Sequence, residues 1–281
     1  MTGGRKFPGD MPDRRLFEYE EHFVAFIDFL GFAAAIEAAS DEARTQLLQL
    51  MVALSETESE FTIETRATPD GVATEVAPNI TTFSDNIVIS YPLEKLRAKG
   101  YYSDQNTPTF ILDGFAKLLS WLAISALRIG FLVRGGATIG RLYHSNGVVY
   151  GEGMVEAYRI ESQVSVYPRV VLSEKIANRP NWISSPRILT DTDGLRHIDY
   201  FSALFLNPIE APDGRTPSPA ELFSTSIEVI ASQLDRLRSK NNQRAYAKWV
   251  WFSHQVAESL DRIAPAVRRQ YRLRPEELAK G

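Results

Sequence analysis

His22-Phe-Val-Ala-Phe-Ile-Asp28 is a run of apolar, aromatic and β-branched residues that ends in a carboxylate, and it reads as a buried strand. Gly31 breaks the run. Residues 33–61 then take on helical composition, with Leu47, Leu48, Met51 and Leu54 at helical spacing. A second carboxylate sits in similar company. Residues 79–91 read as two strands meeting around Ser84-Asp85-Asn86, with Ile87, Val88 and Ile89 in the second strand. Two acidic residues at strand ends therefore anchor the sequence.

The rest of the chain alternates strands, hairpins and helices. Thr68-Pro-Asp-Gly71 marks a hairpin over residues 62–76. A polar loop over 101–108 precedes a helix over 109–129 and a strand over 131–143, and Ser145-Asn-Gly147 supplies the next turn. Residues 148–163 begin with glycines and become helical, 166–173 form a strand, and a short helix starts at Glu174. A last hairpin over 188–201 turns at Thr192-Asp-Gly194. Residues 207–219, rich in Pro, Gly and Asp, form a linker, and 221–269 are mostly helical. The order predicts an α+β sheet domain over residues 1–206, followed by a linker and helical C-terminal extension over 207–281. There is no internal repeat.

With 281 residues, 44% hydrophobic and 23% charged, the chain has the composition of an ordinary folded protein. A net charge of -4 offers no basic field for duplex nucleic acid, so nucleic-acid binding is not expected. A site for a polyanionic nucleotide must then draw its positive charge from metal ions or a few arginines. The absence of cysteine excludes a disulfide framework, a thiol nucleophile and a zinc-thiolate site. Residues 1–15 are polar and lack the apolar core of a signal peptide. The most apolar stretch, 115–133, contains Lys117, Ser120, Ser125, Arg128 and Gly130 and reads as a buried amphipathic helix. No signal peptide or membrane segment is expected, and the lack of cysteine is compatible with the cytosol without proving it.

A lone carboxylate at a strand end often only caps the following helix. Two that project from adjacent strand ends would repel one another unless cations bridged them. Mg²⁺ or Mn²⁺ can do so through hard oxygen ligands, leaving positions for phosphate and water, and an ion pair of this kind serves phosphoryl displacement.

The words around each aspartate carry a resemblance. Phe26-Ile-Asp28-Phe-Leu-Gly31-Phe32 resembles the first metal motif of class III adenylate and guanylate cyclases, and Phe83-Ser-Asp85-Asn-Ile-Val-Ile89 resembles their second. Val133-Arg-Gly-Gly136-Ala-Thr-Ile-Gly140 looks like the glycine-bearing strand that follows. Gly151-Glu-Gly-Met-Val-Glu-Ala157-Tyr-Arg159-Ile-Glu161-Ser162 looks like the helix carrying the family's transition-state arginine. The four occur in the family's order over residues 23–173. Departures concern the base. The purine-reading lysine becomes Thr81, its acidic companion becomes Val148, and the transition-state asparagine becomes Val155. That pattern is similar to the pyrimidine cyclases of the Pycsar antiphage systems.

The resemblance implies a class III cyclase-like (ferredoxin-like) sheet with covering helices. It implies a cytoplasmic homodimer with shared active sites that makes cyclic UMP or cyclic CMP from UTP or CTP, UTP being favoured, and activates a separate effector. Two Mn²⁺ or Mg²⁺ ions would be held by Asp28, Asp85 and the Phe29 carbonyl. Backbone N–H groups over Leu30, Gly31 and Phe32 would receive the β- and γ-phosphates, as helix starts do. Arg159, contributed by the partner subunit, would stabilise the α-phosphoryl; otherwise it is a surface arginine. Phe23 could lie against the base and Thr81 could bond its edge, or both could be ordinary strand residues. Arg134 could meet phosphate or pair with a carboxylate. A purine cyclase with a relocated base reader, and a non-catalytic nucleotide-sensing module, are the alternatives.

Other features read as structural. Gly151-x-Gly153 lacks the third glycine of a dinucleotide fingerprint. His22, His144, His197 and His254 have no metal-ligand spacing. Tyr246, Trp249, Trp251 and Phe252 suggest packing onto the core or a partner, and the charges over 235–244 suggest a solvated helix face.

Overall fold

The computed structural model describes residues 19–32, 41–56, 63–65, 74–97, 107–204, 217–274 and 278. Strand β1 (Glu20–Leu30) is buried on both faces along most of its length, and it occupies the middle of the sheet. Unbroken apolar residues from Phe23 to Ile27 leave no side that water could favour there. Its neighbours are β5 (Asn86–Pro92) and β6 (Leu132–Ser145), both antiparallel to it. Outside β5 lies β4 (Asn79–Phe83), joined to it by the Ser84-Asp85 turn, in which Ser84 adopts φ 56°. Helix α1 (Asp41–Glu56) crosses from β1 towards β4, and α3 (Thr107–Arg128) crosses from β5 to β6. A short α2 (Leu93–Arg97) follows β5 directly. The core order β4-β5-β1-β6 with these two crossovers is the βαββαβ pattern of ferredoxin-like folds, as the sequence led us to expect. Residues 33–40, which the sequence makes the start of the first helix, lie outside the described residues.

Two arms complete the sheet. On the far side of β6, β8 (Val170–Leu172) pairs in parallel, followed by β10 (Arg196–Ile198) and β9 (Ile188–Thr190). The tip of β6 also carries β7 (Val148–Tyr150) as a hairpin, and β2 (Ile63–Thr65) with β3 (Thr74–Val76) forms a separate small one. The strand expected over 166–173 is realised only at its end. Pro168 lacks a ladder N–H, and Arg169 turns its side chain inwards between Asp191, Asp193 and Trp251.

Alternate residues of β1 face different layers. Phe23, Ala25, Ile27 and Phe29 belong to the main core beneath α1 and α3. Val24 and Phe26 belong to a smaller cluster on the other face, together with Val88, Leu142 and Ala157. That second face is covered by α4 (Glu152–Arg159), which widens into a π-helical turn over Ile160–Val164. The helix can lie flat because glycines meet it. A Cβ at Gly140 would lie 2.8 Å from the Gly153 Cα.

Short helices α5 (Glu174–Ala177) and α6 (Pro180–Ile183) follow β8. The C-terminal segment forms α7 (Pro219–Ser239), α8 (Gln243–Arg262) and α9 (Pro265–Tyr271). The expected linker ends one step early, because Ser218 and Glu221 form a capping box with Pro219 in the first turn. The mostly helical segment expected over 221–269 is divided at Asn242, which caps α8 through a bond from the Ala245 amide. Leu222, Phe223, Ile230, Leu234, Trp249, Phe252 and Val256 all join the main core. The extension is thus packed into the same hydrophobic interior as the sheet. Helix α3, though long and apolar enough to cross a membrane, is likewise built into this core through Leu112, Phe115, Leu119 and Leu122.

Candidate active site

Asp28 is placed by two ladders at once. It pairs with Asn86 on β5 and with Arg134 on β6, and Asn86 pairs with Phe83. One lateral row across the sheet therefore reads Arg134, Asp28, Asn86, Phe83. Residues paired across strands share a face, and strand alternation puts Asp28 on the side of Val24 and Phe26, beneath α4. Asp85 comes to the same edge because the β4–β5 turn closes beside the end of β1. The Phe29 N–H donates to the Asp85 carbonyl at 3.2 Å. The Asn86 side-chain amide donates to Asp85 Oδ1 at 2.9 Å.

The carboxylates feel each other. Burial raises the pKa of Asp28 above the ordinary value, Arg134 pulls it down, and the charge of Asp85 pushes it up again. Arg134 is the pivot of the cluster. Its Nε donates to Asp28 Oδ2 at 3.2 Å, its Nη1 donates to the Ser165 carbonyl at 3.3 Å, and its Nη2 lies 2.6 Å from Glu161 Oε1. Of the two roles open to Arg134 from sequence, the structure shows carboxylate pairing. Glu161 is almost fully buried, and burial raises its pKa while Arg134 opposes that shift. The π-helical turn places it there. Gly136 has no side chain to keep the helix away, and a Cβ there would lie 2.4 Å from the Ala157 carbonyl oxygen and 2.7 Å from the Glu161 nitrogen. Widened turns of this kind concentrate at functional sites.

The donor set fits a small hard cation. Asp28 Oδ1 and Asp85 Oδ2 take part in no hydrogen bond among the described residues, so each carboxylate keeps one oxygen for a ligand. No group of three or more metal-binding side chains occurs among the described residues. Two carboxylates with vacant positions left for water and phosphate is how Mg²⁺-type ions are bound.

The remaining predicted residues divide. Phe29 buries its ring in the core, while its backbone lies at the strand end beside Asp85. Leu30 is half-buried, Gly31 is exposed with φ 88°, and Phe32, half-buried, is the last described residue of this segment. Thr81 is half-buried and lies on the same face as Asp28, its hydroxyl 2.9 Å from His144 Nε2. His144 Nδ1 is 2.9 Å from Ser90 Oγ, which is 3.1 Å from His22 Nδ1. Burial lowers the His144 pKa to about 4, so the ring is neutral at pH 7 and donates through one nitrogen only. The assignment of Phe23 to the base is corrected. It has no exposed surface, stacks on Trp182 at 5.8 Å, and points into the main core opposite Asp28. Arg159 is exposed and has no bond to Asp28 or Asp85 among the described residues.

Two site residues escaped the sequence reading. Glu161 is signalled by the spacing Gly153, Ala157, Glu161, two small residues and an acid on one buried helical stripe. Lys248 on α8 is electrostatically coupled to Asp28, Glu161 and Arg134, and nothing local in the sequence announces that placement.

Comparison with known proteins gives likeness in shape only. No family model and no curated protein matches the chain. Among solved structures, the dimeric guanylyl cyclase domain of the RhoGC fusion protein from the aquatic fungus Blastocladiella emersonii is similar at 12% identity and TM-score 0.39, covering 64% of this chain and 94% of that one. The guanylyl cyclase Cya2 is similar at 12% identity and TM-score 0.39, with 65% and 92% covered. A bacterial light-regulated adenylyl cyclase is similar at 10% identity and TM-score 0.38, with 76% of this chain and 57% of that chain covered.

Proposed function

We propose that the chain is a divalent-metal-dependent nucleotidyl cyclase. It converts a pyrimidine nucleoside triphosphate, UTP in preference to CTP, to the 3',5'-cyclic monophosphate and pyrophosphate. The cyclic product is the second messenger of a cytoplasmic antiphage response and acts on a separate effector. One observation carries the cyclase assignment. The register of β1, β5 and β6 brings Asp28 and Asp85 to one sheet edge, each with an oxygen free of hydrogen bonds among the described residues.

Asp28, Asp85 and the Phe29 carbonyl hold the metal ions. When bound, two Mn²⁺ or Mg²⁺ ions lower the pKa of the ribose 3'-hydroxyl and offset the charge of the departing pyrophosphate. Arg134 holds Oδ2 of Asp28, and Oδ1 takes part in no hydrogen bond among the described residues. Leu30, Gly31 and Phe32 offer backbone donors to the β- and γ-phosphates at a helix start. Arg159, exposed at the end of α4, stabilises the α-phosphoryl of the site in the partner subunit. The surface around α4 suits a homodimer: Phe83, Val155, Tyr158 and Val164 are large, exposed and apolar. Preference for a pyrimidine is supported by Thr81, Val148 and Val155 in place of charged or amide base-reading groups.

Incubation with Mn²⁺ and each of the four nucleoside triphosphates, with products resolved by chromatography, tests the assignment. A cyclic pyrimidine product supports it. A cyclic purine product moves it to a purine cyclase, and no turnover leaves a nucleotide-sensing module. Asp85→Ala and Arg159→Ala should each abolish product, and mixing the two variants should restore part of it if the site is shared. Full activity of Asp85→Ala would refute the metal assignment.

A further inference from the structure

The family resemblance ends near residue 173, yet a later element packs within electrostatic reach of Asp28 and Glu161. Helix α8 is clamped to the sheet domain by Trp251, which stacks on Tyr167 at 5.3 Å with the rings 14° apart. The Arg169 guanidinium lies 5.6 Å from the Trp251 ring centroid, and Phe252 is buried in the core. Lys248 lies three residues before Trp251, hence on the same side of the helix one turn earlier. Tyr167, on which Trp251 stacks, lies two residues beyond Ser165, whose carbonyl receives Arg134. Lys248 is half-buried and makes no ion pair or hydrogen bond among the described residues. Its charge is felt by Arg134 and Arg244, which oppose it, and by Asp28 and Glu161, which favour it.

Resting on the reading of Asp28 and Asp85 as a nucleotide site, we propose that α8 is its polyphosphate arm, in which Lys248, supported by Arg244, binds the terminal phosphates of the substrate.

A half-buried ammonium without a bonded counter-charge is unfavourable in the folded chain, and an incoming anion removes that penalty. Charge balance points the same way. Asp28 and Glu161 both feel Arg134 and Lys248, two carboxylates against two cations, while Arg244 acts on Lys248. A cluster so balanced can take in a triphosphate whose charge is matched by two divalent ions. A lysine suits that end of the nucleotide as a mobile point charge, free of the fixed fork of arginine.

The test uses the full-length chain and inorganic tripolyphosphate with Mn²⁺, a probe that carries no base or ribose, in titration calorimetry. Lys248→Met should weaken binding by about tenfold or more, as expected for losing a charged hydrogen-bonding partner. Lys248→Arg should restore part of the affinity, and Arg244→Gln should have a smaller effect, with Lys248→Met no less thermally stable than wild type. Equal affinity in wild type and Lys248→Met, or no binding by wild type, overturns the proposal. Should Lys248→Met prove unfolded, Lys248→Gln takes its place in the same titration. The two readings fail separately. Lys248-dependent tripolyphosphate binding without cyclic product from any nucleotide would retain the arm and remove the cyclase. Cyclic product with KM and tripolyphosphate affinity untouched by Lys248→Met would do the reverse.

Discussion

Gly136→Ala tests how tightly the site depends on the seating of α4. The added Cβ would lie 2.4 Å from the Ala157 carbonyl oxygen, 2.6 Å from Ile160 Cβ and 2.7 Å from the Glu161 nitrogen, against an ordinary contact distance of 3.4 Å or more. Two of the three obstacles are backbone, so no side chain can swing aside. The helix must withdraw by roughly 1 Å to restore normal contact. Overpacking of this kind costs about 1–3 kcal/mol, which for a domain of this size lowers the thermal midpoint by roughly 3–10 °C. The displacement also carries Glu161 away from Arg134, and Arg159 with it, and a misplacement of about 1 Å can cost on the order of a hundredfold in rate. Gly147→Ala is the control. Gly147 has φ 73° but no neighbour within 4 Å of a built Cβ, so only the left-handed backbone penalty of about 1 kcal/mol applies. Scanning calorimetry and product formation would be measured on both variants. A Gly136→Ala midpoint and rate equal to wild type, or a Gly147→Ala effect as large, would refute the packing argument.

Two further outcomes follow from buried polar groups. His144 has a folded pKa of about 4 against an ordinary 6.5, so the unfolded chain binds the extra proton between those values and stability falls as the pH drops through that window. The loss approaches about 3 kcal/mol near pH 4; urea denaturation at pH 7 and pH 5 should show it, and His144→Gln should flatten the difference. Arg169 is buried between Asp191 and Asp193. Arg169→Met should destabilise by about 3–5 kcal/mol by stranding the carboxylates, and adding Asp191→Asn and Asp193→Asn should recover much of it in chemical denaturation.

Legibility in the sequence followed the range of the interactions. Strand β1, the Ser84-Asp85 turn and α3 could be read because each is set by its own period or turn chemistry. Phe23 was misplaced although the needed rule was local. It precedes Asp28 by an odd number of residues, and strand alternation sends the two to opposite faces. The Thr81–His144 contact joins residues 63 apart in sequence, and no pattern within either strand marks it. Glu161 stood on a readable stripe, but the widening of the helix that tips it onto Arg134 depends on Gly136 in another element. Lys248 comes within electrostatic reach of Asp28 through the packing of α8, the Trp251–Tyr167 stack included, which is tertiary from the outset.

The central strand has a consequence for how this chain can change over time. Its odd positions pack in the main core and its even ones in the separate layer that also holds Asp28, so substitutions on one set can accumulate with little effect on the other. Losing or gaining a single residue between His22 and Asp28 would swap the two sets, sending the acid into the main core and the core aromatics into the layer beneath α4. Point replacements are therefore separable here by parity, while the spacing of this segment is fixed by both demands together.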